Sequence, residues 1–193
     1  MIGAIILAAG QSRRMGRNKL LLPFGASTVL ETIVTEMAAC EQVREVIVVT
    51  GHEPDRIAAL LAPYPVRCVF NPAYARAEML VSLQVGVRAL AEEVQAALLV
   101  PGDYPRLRRE VIQHVIDAHQ PGALVIPSYQ MKRGHPILID RVWWPELLAL
   151  PPTATLRDFI RAHEDHIRYV VVETDSVVKD MDTPEEYDDL IAR

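Results

Sequence analysis

Leu7-Ala8-Ala9-Gly10-Gln11-Ser12-Arg13-Arg14-Met15-Gly16-Arg17-Asn18-Lys19 closes a short apolar run that starts at Ile2. Ile2, Ala4, Ile5, Ile6 and Leu7 read as a buried strand, and the residues after it change character at once. Ala8, Ala9 and Gly10 carry almost no side chain, so backbone amides there can approach a ligand closely. Arg13, Arg14, Arg17 and Lys19 then put four cations within seven residues, in a chain whose formal net charge is −5. Small residues and concentrated positive charge just past a strand suit a phosphate cradle. Parallel sheets bind ligands beyond the carboxyl ends of their strands, so this stretch points to an α/β fold as well as to a triphosphate.

Neither of the two commonest phosphate motifs is present. A Walker loop needs four residues between its glycines and then Gly-Lys-Ser/Thr, whereas Gly10 and Gly16 enclose five residues and Lys19 comes three after Gly16. A dinucleotide fingerprint needs three clustered glycines, and Gly10 stands alone. Kinase and dehydrogenase readings lose their main support.

The alternation seen at the start continues. Apolar runs recur at 46–50, 66–70, 96–100, 123–127 and 137–139, with helical periodicity between most of them. Thr28 with Glu31 makes a capping box ahead of Leu30, Ile33, Val34 and Met37. Pro54 suits a first helical position before Ile57, Leu60 and Leu61. Leu80, Leu83, Val87 and Leu90 predict another helix, as do Val111, Ile112, Val115 and Ile116. Thr183, Pro184 and Glu186 cap a last one through Tyr187, Leu190 and Ile191. Apolar strands between amphipathic helices predict a mostly parallel sheet covered on both faces. No linker, repeat or low-complexity segment interrupts residues 1–193, and Pro151-Pro152 leaves too little after it for a second core, so one domain is expected.

Composition narrows the function classes. A pI near 5.7 argues against nucleic acid as a partner. No apolar run would span a bilayer and no signal peptide is evident, so the expected location is cytoplasmic, with no membrane partner. Cys40 and Cys68 lack metal-ligand spacing and read as small buried hydrophobes. His114, His119, His163 and His166 form no recognisable metal set and are expected on solvated helix faces, with Trp143 and Trp144 packed under a loop.

A bound triphosphate calls for a divalent cation, and a hard cation calls for carboxylates. Asp103 follows the run 96–100 within Pro101-Gly102-Asp103-Tyr104-Pro105, at a strand's carboxyl end. Asp180 and Asp182 lie in Lys179-Asp180-Met181-Asp182-Thr183-Pro184, and would share one side of an extended segment.

The opening loop resembles the signature of the molybdenum cofactor nucleotidyltransferases, L-A-A/G-G-x-S-x-R-M-G-x-x-K. Leu7, Ala8, Ala9, Gly10, Ser12, Arg14, Met15, Gly16 and Lys19 all match it. Gly102-Asp103-Tyr104-Pro105 is similar to the family's metal motif, and Asp180-Met181-Asp182-Thr183-Pro184-Glu185 to its second acidic segment. Asn71-Pro72 and Met79-Leu80-Val81-Ser82-Leu83 are similar to the family's nucleotide-facing positions, with Glu78 standing where relatives carry Gly. Arg133-Gly134-His135-Pro136 matches the R-G-H-P of the cofactor-transferring branch, while only Arg157 survives of a later acceptor segment.

The resemblance implies a Rossmann-like three-layer sandwich of the nucleotide-diphospho-sugar transferase type. It implies nucleotide binding by Leu7, Ala8, Ala9, Gly10, Ser12, Lys19, Asn71 and Ser82. Lys19, Arg14 and Asp103 would be catalytic, and Asp103 and Asp182 would hold Mg2+. Arg133 and His135 would bind the acceptor. The expected reaction moves CMP from CTP to the terminal phosphate of a molybdopterin-type acceptor, releasing pyrophosphate, with a recipient molybdoenzyme or its chaperone downstream. Leu7-Ala8-Ala9-Gly10 favours the cytidylyl over the guanylyl branch, which reads L-A-G-G. Transfer to a sugar phosphate or another phosphorylated alcohol, or nucleotide binding without catalysis, are the other readings.

Overall fold

The computed structural model describes residues 1–75 and 79–192, so Glu78 lies outside the described residues. In chain order, β1 (Ile2–Ala8) leads through the loop to a small hairpin of β2 (Pro23–Phe24) and β3 (Ser27–Thr28). Then come α1 (Val29–Ala38), β4 (Val43–Thr50), α2 (Pro54–Leu61), β5 (Arg67–Phe70), α3 (Met79–Ala89), β6 (Ala96–Pro101) and α4 (Arg109–Asp117). The second half holds β7 (Leu124–Tyr129), β8 (Lys132–Arg133), β9 (Ile137–Asp140), α5 (Trp144–Ala149), α6 (Leu156–Ala162), β10 (Ile167–Val171) and α7 (Pro184–Ile191).

The main sheet runs β10-β7-β9-β6-β1-β4-β5, with β8 also pairing β7. β1 pairs in parallel with both β4 and β6, and β10 pairs in parallel with β7. β9 is antiparallel to β6 and to β7, so one reversed strand joins two parallel blocks. This is the mostly parallel α/β sheet the patterning predicts. Strand alternation sorts the core into two layers. Ala4, Ile6, Val48, Leu98 and Val100 face α1, α2, α4 and α7, while Ile5, Ile47, Val49, Ala97 and Leu99 face α3, α5 and α6. The result is a three-layer sandwich, buried on both faces as continuous apolar strands require.

Local signals place the helices. Thr28 and Glu31 form a reciprocal capping box on α1, and Thr183 and Glu186 form one on α7. Pro54 begins α2 behind Glu53, which takes the left-handed conformation. Three features were not legible from periodicity. β10 carries mostly exposed side chains, since it is an edge strand, and α5 and α6 are too short to show a periodic face. Two histidines also depart from the solvated positions expected of them. His163 is buried against Phe159 and Trp143, with Nε2 3.1 Å from the Glu146 carboxylate. His119 bonds Asp140 at 2.8 Å. Trp144 lies in the core itself, in α5. Cys40 is buried and Cys68 half-buried.

The topology reverses direction at β1, which has β4 on one side and β6 on the other. A crevice opens at such a switch point, at the carboxyl ends of the strands. The 8–19 loop leaves β1 there, and Asp103 follows β6 there.

Candidate active site

The loop after β1 is shaped by its own side chains. Ser12 at φ 49° and Gly16 at φ 65° turn it, around a single 3-10 turn at Arg13–Met15. Met15 is buried and fastens the loop to the core. Ser12 Oγ accepts the Lys19 N–H at 3.1 Å, and Asn18 Oδ1 accepts the Leu20 N–H at 3.2 Å. The loop thereby closes on itself and a second 3-10 turn, Lys19–Leu21, begins at the lysine. Its side chain is only 13% exposed.

Asp103 arrives from the adjacent strand. Gly102 N–H donates to Leu7 carbonyl oxygen at 2.9 Å, which extends the β1–β6 pairing as far as the acid. Lys19 Nζ donates to Asp103 Oδ2 at 2.5 Å and to Asp182 Oδ1 at 2.6 Å. Arg14 pairs with the other oxygen of Asp182. Asp103, Asp180 and Asp182 each offer an oxygen within 4.8 Å of the others. Residues 19, 103 and 182, far apart in sequence, therefore meet at one point.

The electrostatics follow from that crowding. Burial pulls the Lys19 pKa down, but Asp103 and Asp182 together outweigh it, so its net shift is upward. Burial pushes Asp182 up, yet Lys19 and Arg14 hold its carboxyl below the usual range. Asp180 is raised, first by burial and then by the charges on Asp103 and Asp182. Asp103 Oδ1 is buried and has no hydrogen-bond partner among the described residues. Three hard oxygen donors, one of them buried and unsatisfied, suit a divalent cation.

Beside this cluster lies a cavity of about 260 Å³, lined by Ala9, Gly10, Ser12, Lys19 and Asp103. Tyr74, Met79 and Ser82 line it as well. Of the residues expected to meet a nucleotide, Leu7 and Ser82 join Ala9, Gly10, Ser12 and Lys19 in the lining. Ala8 is buried beneath it. Asn71 is buried too, and its amide is already used: Nδ2 donates to Ser82 Oγ at 3.0 Å and Oδ1 accepts the Ala73 N–H at 2.9 Å. It braces the wall from behind. Tyr74 was not legible as a site residue from sequence. A Cβ on Gly51 would come within 2.5 Å of the Tyr74 Cβ, so glycine there lets the ring lie close against the 8–10 loop. No periodicity marks such a residue, although Asn71-Pro72 signals the turn that carries it.

The tetrad 133–136 divides. His135 turns inward, with its ring edge-on to Tyr104 at 5.3 Å between centroids. Its backbone N–H bonds the Val177 carbonyl at 2.8 Å, and a Cβ on Gly134 would sit 2.4 Å from that same oxygen. Burial pushes the His135 pKa down to about 4 against a smaller upward pull from the Leu99 carbonyl, so the ring is neutral near pH 7. A neutral imidazole can bond an acceptor molecule but brings no positive charge to a phosphate. Arg133 is exposed and stands apart from the acid cluster. Its guanidinium donates to Tyr169 Oη at 2.6 Å and to Glu164 at 2.8 Å. Arg157, on α6, lines a separate hollow with Met79 and Leu80.

Comparison with known proteins agrees with this geometry. The family described as the MobA-like NTP transferase domain matches residues 4–167. Over 187 residues the chain is 28% identical to the molybdenum cofactor cytidylyltransferase of Escherichia coli K12, covering 96% of this chain and 93% of that one. It is 26% identical to nicotine blue oxidoreductase of Paenarthrobacter nicotinovorans, over 96% of this chain and 94% of that one. A Mycobacterium tuberculosis H37Rv protein, Rv0371c, crystallised as a manganese complex, superposes with a TM-score of 0.82 at 23% identity, over 99% of this chain and 98% of that one. Because the family match spans most of the chain, from β1 to the start of β10, the chain belongs to the MobA-like NTP transferases.

Proposed function

We propose that this enzyme transfers CMP from CTP to the terminal phosphate of a molybdopterin-type acceptor and releases pyrophosphate. The observation that carries the reading is Lys19, held between Asp103 and Asp182 at the mouth of a cavity rimmed by Ala9, Gly10 and Ser12. The full-length likeness to the Escherichia coli cytidylyltransferase supports the choice of acceptor, and Ala9 within Leu7-Ala8-Ala9-Gly10 supports cytidine over guanosine.

The triphosphate lies along the loop, where Ala8, Ala9 and Gly10 leave room for phosphate oxygens and Ser12 offers its hydroxyl. Lys19 exchanges its carboxylate partners for phosphate oxygens and stabilises charge as the bond from the α-phosphorus to the pyrophosphate oxygen breaks. Arg14 stands beside it. An acceptor phosphate oxygen, ionised at neutral pH, forms the new bond, so no side chain need take a proton from it. Positioning and charge neutralisation carry the rate. Asp103 and Asp182, with Asp180 beside them, would hold Mg2+, which when bound supplies positive charge to the α-phosphate. The base rests against Tyr74, Met79 and Ser82, with Ser82 steadied by Asn71. His135 offers the acceptor a neutral hydrogen-bonding ring, and Arg133 reaches a phosphate only by leaving Glu164.

Pyrophosphate release, assayed with CTP, GTP, ATP and UTP in Mg2+, with and without purified molybdopterin, tests this directly. Release that needs both CTP and molybdopterin is expected. A preference for GTP would move the chain to guanylyl transfer, and release with a sugar phosphate instead would replace the acceptor. No release with any triphosphate would overturn the reading.

A further inference from the structure

Asp182 sits in a segment, 179–182, that belongs to neither helix nor strand. Something other than a hydrogen-bonded ladder must therefore fix its carboxylate. Met181, just before it, is fully buried and anchors the chain on one side. On the other side, Glu186 Oε2 accepts two backbone N–H groups, from Asp182 at 2.7 Å and from Thr183 at 2.9 Å.

The capping box on α1 provides an internal comparison. There Glu31 Oε2 accepts the Thr28 N–H at 2.9 Å, while Oε1 turns away to the Tyr64 hydroxyl at 3.1 Å. A capping box needs only that one N-cap bond. Glu186 makes it and then reaches one residue further, to the acid itself. Tyr187 Oη donates to the Pro23 carbonyl at 2.7 Å, and Tyr187 and Leu190 are buried, so α7 gives Glu186 a fixed base.

We propose that Glu186 is a positioning residue for Asp182, locking the acid's backbone so that its carboxylate meets Asp103 and Lys19. The inference rests on Asp182 being a metal ligand, as read above. A group that orients a ligand commonly contributes 10–100-fold to metal affinity.

Mn2+ affinity of the whole protein, measured by electron paramagnetic resonance of the free ion, separates the possibilities, with thermal melting run on each variant. Glu186→Ala should weaken Mn2+ binding about 10-fold or more. Glu186→Gln keeps an acceptor oxygen and drops the charge, and should stay within about 3-fold of the parent, because the amide can hold the same N–H groups. Thr183→Ala removes the other half of the box, the Glu186 N–H to Thr183 Oγ1 bond, and leaves the Asp182 bond in place. It should lower the melting temperature while keeping Mn2+ affinity within about 3-fold, because it removes a cap only. An unchanged Glu186→Ala, a Glu186→Gln as weak as it, or an equal loss in Thr183→Ala would overturn the proposal. Asp182→Asn tells that failure from the other: if it binds Mn2+ like the parent, Asp182 is not a ligand and the underlying reading fails instead.

Discussion

Lys19 and Arg133 are both cations paired with carboxylates, and both lie in motifs of the same resemblance. Lys19 bridges two acids at the carboxyl end of the sheet, where its side chain is 13% exposed and those of Asp103 and Asp182 are 15% and 29%. Arg133 pairs with a Glu164 side chain that is 60% exposed, beside edge strand β10. Solvent screens the second pair and leaves the first strong, because the attraction between charges grows as water is excluded. Position in the sheet, rather than residue type, separates a buried ion cluster from a surface clasp.

Removing the buried cation should have the largest effect. Lys19→Ala is expected to cut turnover by about three orders of magnitude, the scale for a lost electrostatic contact in a transition state. The fold should persist, since Lys19 begins a single 3-10 turn and is not among the apolar residues that make the core. Single-turnover pyrophosphate release, with circular dichroism as a check on folding, tests it, and near-normal release would put Lys19 on a par with Arg133.

Next come the acids around it. Asp103→Asn should lower Mg2+-dependent activity by roughly two orders of magnitude, since an amide keeps the shape but not the charge a hard cation needs. Asp180→Asn should cost clearly less, because Lys19 bonds Asp103 and Asp182 and not Asp180. Metal titrations of the two variants side by side would sharpen the contrast; equal losses would make these two acids equivalent ligands.

His135 lies two residues from Arg133 yet belongs to the buried side. Its folded pKa of about 4 lies below the ordinary histidine value of 6.5, so the unfolded chain binds the extra proton between those values. Stability should therefore fall as pH drops from 7 to 5, with His135 contributing about 2 kcal/mol to that loss. The His135→Gln variant should show a flatter denaturation profile over this window. An unchanged slope would place the ring in solvent.

The smallest effect belongs to the exposed clasp. Arg133→Ala should change stability by less than about 1 kcal/mol, as for other surface pairs. The nucleotide's apparent Michaelis constant should stay the same, and the acceptor's should rise. Steady-state kinetics with each substrate varied in turn decides it, and a nucleotide defect would draw Arg133 into the first site after all.

Much of this was written locally. The strand before Leu7, the capping boxes at Thr28 and Thr183 and the first-turn Pro54 each depend on neighbours within a few residues, so sequence alone was enough to place them. Continuous apolar strands also announced a sheet buried on both faces, because no exposed face could tolerate them. The residue types of the site were legible for the same reason: small residues, loop cations and two acidic segments have few other uses together.

Only tertiary structure decided which of them meet. Asp103 and Asp182 join Lys19 through strand order and the placement of α7, which no local pattern encodes. The same packing turned His135 inward, left Arg133 on an edge, buried His163, and put Tyr74 into the cavity wall. Sequence fixes what each side chain can do; water exclusion and the charges brought near it decide what it does, and both are properties of the assembled fold.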